Sequence, residues 1–179
     1  MIVAICNGGG IGKSNALPWY SPKDLRHFSK LTRGEPPIDK DTGIQKMNVM
    51  VMGRNTWNSI PKKPLPKRFH IILTRKPETL DLSDKKFENC VALSSIDAVD
   101  KFYQDNQDKF HDLWIIGGQT IYETYLKERK ISNIFVSHID QSHDCDVFFP
   151  YDLTRYNEKV LKTELENDVP ITFYHYSTS

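Results

Sequence analysis

The stretch that decides the reading is Gly10 to Phe28, GIGKSNALPWYSPKDLRHF. It follows a short apolar run, Met1 to Cys6, opens as a glycine-rich loop and ends in an amphipathic helix. Leu17-Pro18-Trp19 lies between them, and the helix carries one acid, Asp24, beside Leu25 and Phe28. A flexible loop, a tryptophan and a single carboxylate at a helix start are parts of a site for a flat, protonatable ligand. Residues 7–14, NGGGIGKS, come one residue short of the phosphate-loop pattern, with Asn7 in place of the first glycine. Such a loop must open straight into a helix that holds the phosphates, and Pro18 would break that helix. The G-x-G-x-x-G fingerprint fails as well, because Lys13 takes its third glycine position.

Composition narrows the field. A chain of 179 residues suggests one domain and is long enough to bury a core without disulfides or metals. A net charge of +1 makes no electrostatic case for nucleic acid or an anionic membrane. Cys6, Cys90 and Cys145 are few and far apart, and no Cys/His spacing resembles a zinc site, which fits a reducing compartment. The first apolar run is too short for a signal peptide and has no basic leader, and no segment approaches the roughly 20 apolar residues of a membrane helix. The expectation is a soluble, cytoplasmic protein.

Along the chain, strand and helix signals alternate. Apolar runs predict strands at Met1 to Cys6, Met47 to Met52, Phe69 to Thr74, Cys90 to Leu93, Leu113 to Ile116 and Ile131 to Ile139. Ser21 and Pro22 make a good helix start for Ser21 to Thr32, with Leu25, Phe28 and Leu31 as its apolar stripe. Further helices are expected after Gly53, over Ile96 to Tyr103 and over Thr120 to Leu126. Arg33 to Lys46 reads as an exposed loop or insertion. Two β-like tail segments, about 156–164 and 171–177, suggest a hairpin around Glu166 to Pro170. The fold class is α/β, a mostly parallel sheet with an antiparallel C-terminal edge and flanking helices.

Asp24 admits two readings. It is a near capping-box acid at the third helical position, or it faces a ligand, where apolar walls let a carboxylate bind an amidine-like edge and hold a proton. Arg54, Asn55 and Thr56 follow a strand directly and suit a phosphate, or form an ordinary charged helix start. Gly117-Gly118 ends another strand before a helix, as a close backbone approach to a ligand or a plain tight turn. Two such strand ends in one parallel sheet make a dinucleotide diphosphate plausible. Thr74-Arg75 suits a further phosphate or a solvated strand end. Arg68, beside Lys62, Lys63 and Lys67, could hold an anionic tail or be part of a solvated basic turn.

GIGKSNALPW, VMGRNTWNSIP, WIIGGQTIY and DVFFP occur in the order and approximate spacing of one family, and the chain resembles dihydrofolate reductases over nearly all of 1–179. The resemblance implies a single domain over 1–179, an eight-stranded sheet and four main helices. It implies NADPH-dependent reduction of 7,8-dihydrofolate to 5,6,7,8-tetrahydrofolate by a monomer, with no metal, nucleic acid or membrane required. In that picture Asp24 binds the pterin's amino-pyrimidine edge and favours protonation of nitrogen 5, while hydride passes to carbon 6. Trp19 orders the nearby water, and Ser137 is the hydroxyl behind the acid.

The same resemblance puts the backbone of Ile2, Val3 and Ile116 at the pterin edge, with Leu25 and Phe28 against the ring. Ser59, Ile60 and Leu65 flank the aminobenzoyl group, and Arg68 pairs with the glutamate α-carboxylate. Ala4 lies near the nicotinamide, under a lid of Gly10, Ile11, Gly12, Lys13, Ser14, Asn15 and Ala16. Arg54, Asn55 and Thr56 bind phosphates. Thr74, Arg75 and Lys76 lie by the adenosine, with Arg54 and Arg75 reading the 2′-phosphate. Gly117, Gly118, Gln119, Thr120, Ile121 and Tyr122 cover the diphosphate and nicotinamide, and the Gly117-Gly118 bond is expected to be cis. The chain departs from the family pattern at Asn55, which replaces a residue that is often basic, and at Leu93-Ser94-Ser95, where some relatives carry an arginine; either departure is expected to weaken the grip on the 2′-phosphate. A folate- and dinucleotide-binding protein without turnover is the alternative, and a reductase of a riboflavin-pathway pyrimidine is a third reading.

Overall fold

The computed structural model describes residues 1–150 and 152–179. The chain divides into two compact units, Met1–Phe28 with Ile116–Ser179, and Ser29–Ile115. Among the described residues, ten strands and four α-helices form, the strands lying in two four-stranded sheets and one two-stranded pair.

In the first unit, β1 (Ile2–Cys6) runs parallel to β7 (Asn133–Ile139), and β10 (Val169–Ser177) runs antiparallel to β7 and to the outer strand β9 (Asn157–Glu166). This four-stranded sheet is therefore mixed, not mostly parallel. Its core is Ile2, Val3, Ile134, Val136, Ile139, Ile171 and Phe173, all buried. The turn between β9 and β10 is only Asn167-Asp168, tighter than the pattern suggested, because both residues take positive φ (50° and 64°) as a type I′ turn requires. Pro170 lies inside β10 opposite Leu165. That pair is one step beyond the closing pair, so it is not hydrogen-bonded across the hairpin and the missing proline N–H costs the β9 ladder nothing; on the other side Pro170 O accepts from Asp140 N at 2.9 Å.

Two short strands lie where a loop was expected: β2 (Gly10–Gly12) pairs with β8 (Val147–Phe148). At three and two residues they are too short to show periodicity. Glycine is needed here, since a Cβ at Gly10 would fall 2.4 Å from Cys145 Sγ and one at Gly12 would fall 2.9 Å from Val147 Cγ2.

In the second unit the strand order is β5 (Cys90–Leu93), β4 (Arg68–Leu73), β3 (Met47–Gly53), β6 (Phe110–Gly117), with β3, β4 and β5 parallel. Val49 to Met52 are four consecutive residues with no exposure, the mark of a strand covered on both faces. β6 begins three residues before the predicted Leu113, because exposed His111 and Asp112 interrupt its apolar run. Around these strands lie α2 (Arg54–Ser59) and α3 (Ile96–Asp105); α3 is capped by Ser95 Oγ, which accepts from Ala98 N at 3.1 Å. The 33–46 segment is tied internally by Asp39, which accepts from Asp41 N, Thr42 N and Thr42 Oγ1 and pairs with Lys46 at 3.4 Å. α4 (Gln119–Glu128) belongs to the first unit, and α1 (Pro22–Arg33) gives its first turns to the first unit and its last turn to the second.

Candidate active site

The start of α1 explains the buried acid. Ser21 Oγ accepts from Asp24 N at 3.0 Å, and Ser21 O accepts from Leu25 N, so Ser21 is the N-cap and Pro22 opens the helix. Asp24 does not behave as an exposed first-turn acid. It is 7% exposed and the only buried carboxylate among the described residues. Ser137, on β7 and itself buried, donates a hydrogen bond to it. Burial pushes the Asp24 carboxyl above the usual carboxylate range; the Ser137 bond pulls it back, and the charge of Glu166 raises it further.

The helix inverts the predicted stripe at one point. Leu25 is 46% exposed, while the polar Asp24 and Thr32 are buried. A helix start that buries an acid and exposes a leucine sacrifices stability, and it leaves apolar surface beside the carboxylate for a ligand to cover.

Other predicted residues gather in the same unit. In the sheet Ser137 lies between Ala4 of β1 and Phe173 of β10. Tyr122 donates to Ile2 O at 2.8 Å; burial, and then the nearby Asp24 charge, raise its phenol far above the ordinary value. Trp19 packs on Ile139, Ile171 and Phe173 and lies 5.6 Å from the His143 ring. Its indole Nε1 is buried with no protein acceptor among the described residues, so this donor-only group is left for water or ligand. The Gly117-Gly118 bond is cis, and Gly117 has φ 112° with the Tyr122 ring 3.0 Å from where a Cβ would stand. α4 starts from Gly118 with no side chain capping it, which leaves Gln119, Thr120 and Ile121 at an N-terminus whose backbone donors suit an anion.

The glycine loop is better ordered than its sequence suggested. Lys13 and Ala16 exchange backbone hydrogen bonds of 2.8 and 3.0 Å across Ser14 and Asn15, both at positive φ. Asp146 Oδ2 accepts from Ser14 N at 2.9 Å, Gly12 O accepts from Asp146 N at 3.0 Å, and Gln119 Oε1 accepts from Phe148 N at 2.9 Å. Asp146, Gln119 and Cys145, whose Sγ lies 3.7 Å from Cys6 Sγ, were not expected as supports of this loop. Ile11 is half-buried within it. Only the DVFFP motif hinted at these ties.

The second unit holds the remaining set. Arg68 is 4% exposed at the start of β4, opposite Asn48 in the register. Asn48 Nδ2 donates to Thr32 O at 2.9 Å and Arg33 O at 3.1 Å, which anchors the end of α1. Thr32 Oγ1 then accepts from Arg68 Nη1 at 3.0 Å, and Pro66 O accepts from its Nε at 3.0 Å. No carboxylate pairs with Arg68 among the described residues. Burial, with Arg33 nearby, lowers its pKa to about 10, so it stays cationic at neutral pH. His70 Nε2 accepts from Leu65 N at 3.0 Å and fixes the turn that carries Leu65. Ser59 closes α2 by donating to Thr56 O at 2.7 Å, and Ile60 follows, half-buried. Arg54 is engaged by Thr79, donating to its hydroxyl and, at 3.2 Å, to its carbonyl. Asn55, Arg75 and Lys76 are exposed, and Thr74 is half-buried.

A family model described as dihydrofolate reductase matches residues 1–178. The chain belongs to the dihydrofolate reductase family. A dihydrofolate reductase of Aedes albopictus is 34% identical over 153 residues, covering 84% of this chain and 77% of the relative. One of Pneumocystis carinii is 34% identical over 157 residues, covering 84% and 72%. One of Drosophila melanogaster is 31% identical over 152 residues, covering 84% and 78%. Among the described residues no helix is long and apolar enough to cross a membrane, and no group of His, Cys, Asp or Glu could hold a metal ion.

Proposed function

We propose that this chain is a dihydrofolate reductase that transfers hydride from NADPH to carbon 6 of 7,8-dihydrofolate as nitrogen 5 takes a proton. The observation that carries this reading is the isolated buried Asp24, with a hydroxyl donor behind it, no ion-pair partner among the described residues and exposed Leu25 beside it. A flat ring with a donor edge satisfies the carboxylate and covers the leucine. A carboxyl held above its usual range keeps a proton available where an ordinary aspartate would not. In this reading Asp24 binds the amino-pyrimidine edge and favours the protonated pterin, and Trp19 Nε1 and Ser137 orient water and acid. Ile2, Val3 and Ile116 offer backbone to the pterin, Phe28 stacks on it, and Ser59, Ile60 and Leu65 flank the aminobenzoyl ring. Arg68 takes the glutamate α-carboxylate; a buried guanidinium without an acid calls for an anion.

NADPH, when bound, supplies the hydride. Its fit is supported by the start of α4 at Gly118, where no side chain caps the backbone donors that an anion could take. Gly117 to Tyr122 and Arg54, Asn55 and Thr56 would hold its phosphates, Thr74, Arg75 and Lys76 its adenosine end, and Ala4 with residues 10–16 its nicotinamide end. The reading includes one domain over 1–179, the family's eight-stranded sheet, a monomer and a cytoplasmic location. Loss of NADPH absorbance on adding dihydrofolate tests it. Rapid oxidation is expected; ligand binding without oxidation would replace the enzyme with a binding protein.

A further inference from the structure

The start of α1 holds a second acid that the sequence did not suggest. Glu166, the last residue of β9, accepts from Lys23 N at 3.0 Å through Oε2. Asp24 N is taken by Ser21 Oγ. Two orphan donors of the helix are thus filled, one of them by a carboxylate, one residue from the buried acid. We propose that Glu166 is a positioning residue for the proton step: it pins the first turn of α1 and sets a fixed negative charge beside Asp24. The inference rests on Asp24 serving as the acid of the proposed reaction.

The physical reason is the field at a helix start. Free N–H groups there favour an anion and would hold a first-turn aspartate ionised. Glu166 occupies one of these donors and brings its own charge, so it offsets that field at Asp24. The hydrogen bond fixes where the charge stands, and the partial burial of Glu166 limits screening by water. The other charged or titratable groups around this helix start do not cancel it. Lys162 of β9 is paired with Glu164 at 3.3 Å and lies over the Phe173 ring. His27 of α1 packs at a tilt against the Phe173 ring, centroids 4.2 Å apart, and Tyr122 of α4 is a buried neutral phenol. Lys23 itself meets Glu166 through its backbone.

Glu166→Gln tests the charge, because the amide oxygen can still accept from Lys23 N. Two readouts on the full chain are needed: the titration of the Asp24 carboxyl by carbon-13 NMR, and the pH profile of single-turnover hydride transfer to dihydrofolate. Both midpoints are expected to fall by about half a pH unit, the scale of one nearby charge in a partly screened site. The rate above the midpoint then drops about threefold while the low-pH plateau stays in place. Glu166→Ala should give the same shift with a lower Tm, through loss of the cap. A changed Tm with an unmoved midpoint, or a midpoint that rises, overturns the proposal. The two failures are separable: a wild type that does not oxidise NADPH sinks the reaction, whereas the NMR titration still tests Glu166.

Discussion

Each unit buries one charged side chain among the described residues, counting His70 as neutral, and the two are handled in opposite ways. Asp24 in the first and Arg68 in the second are both under 10% exposed, both bonded to a hydroxyl, Ser137 and Thr32, and neither has an ion-pair partner among the described residues. Burial raises the Asp24 pKa, so this group can discharge itself by taking a proton. Burial lowers that of Arg68 only to about 10, so it stays charged and must be matched from outside. One buried charge is thus suited to proton chemistry and the other to anion binding. A pair of identical structural ion pairs would have suited neither.

The largest expected break of this contrast is Asp24→Asn, which should cut hydride transfer by roughly 100-fold or more above neutral pH and spare NADPH binding. The same variant should be more stable than wild type at high pH. The sign follows from the raised carboxyl: its contribution to stability is full below the unfolded value of 3.8 and is lost as pH rises through the folded value. Thermal unfolding across pH should show the gap closing on acidification.

His70 sharpens the contrast as a buried base that stays neutral, its pKa lowered to about 4 by burial and then by Arg68. Stability from this group is present above the unfolded value of 6.5 and falls as the pH drops toward 4, by roughly 3 kcal/mol. Urea unfolding at several pH values, compared with His70→Gln, should show this slope in wild type alone.

Arg68→Leu should weaken folate binding about 100-fold, by loss of a charge-assisted pair, with Tm unchanged or raised because an unpaired buried charge is gone. Calorimetric titration with folate and a melting curve read both. The smallest effect is expected from Ser137→Ala. Removing the donor that favours the Asp24 anion moves the pH midpoint upward, raising the rate above it roughly threefold.

Much of the fold was legible because its signals are local. MNVMVM became a strand buried on both faces, and Ser21-Pro22 started α1 as their chemistry requires. What was hidden depends on partners distant in sequence. β2 and β8 are too short for a period and exist through each other. Glu166 reaches Lys23 across 143 positions, and Thr32 finds Arg68 across 36. The site inventory came from the family motifs, while the inverted stripe of α1, with Leu25 exposed and Asp24 buried, needed coordinates.

The most direct test is the pH dependence of NADPH oxidation in a single turnover with dihydrofolate, wild type beside Asp24→Asn. The expected result is a wild-type rate that falls about tenfold per pH unit above one midpoint, and a variant rate that is low without that break. A variant that keeps the wild-type rate and the same break would show that Asp24 does not govern the proton, and would contradict the account.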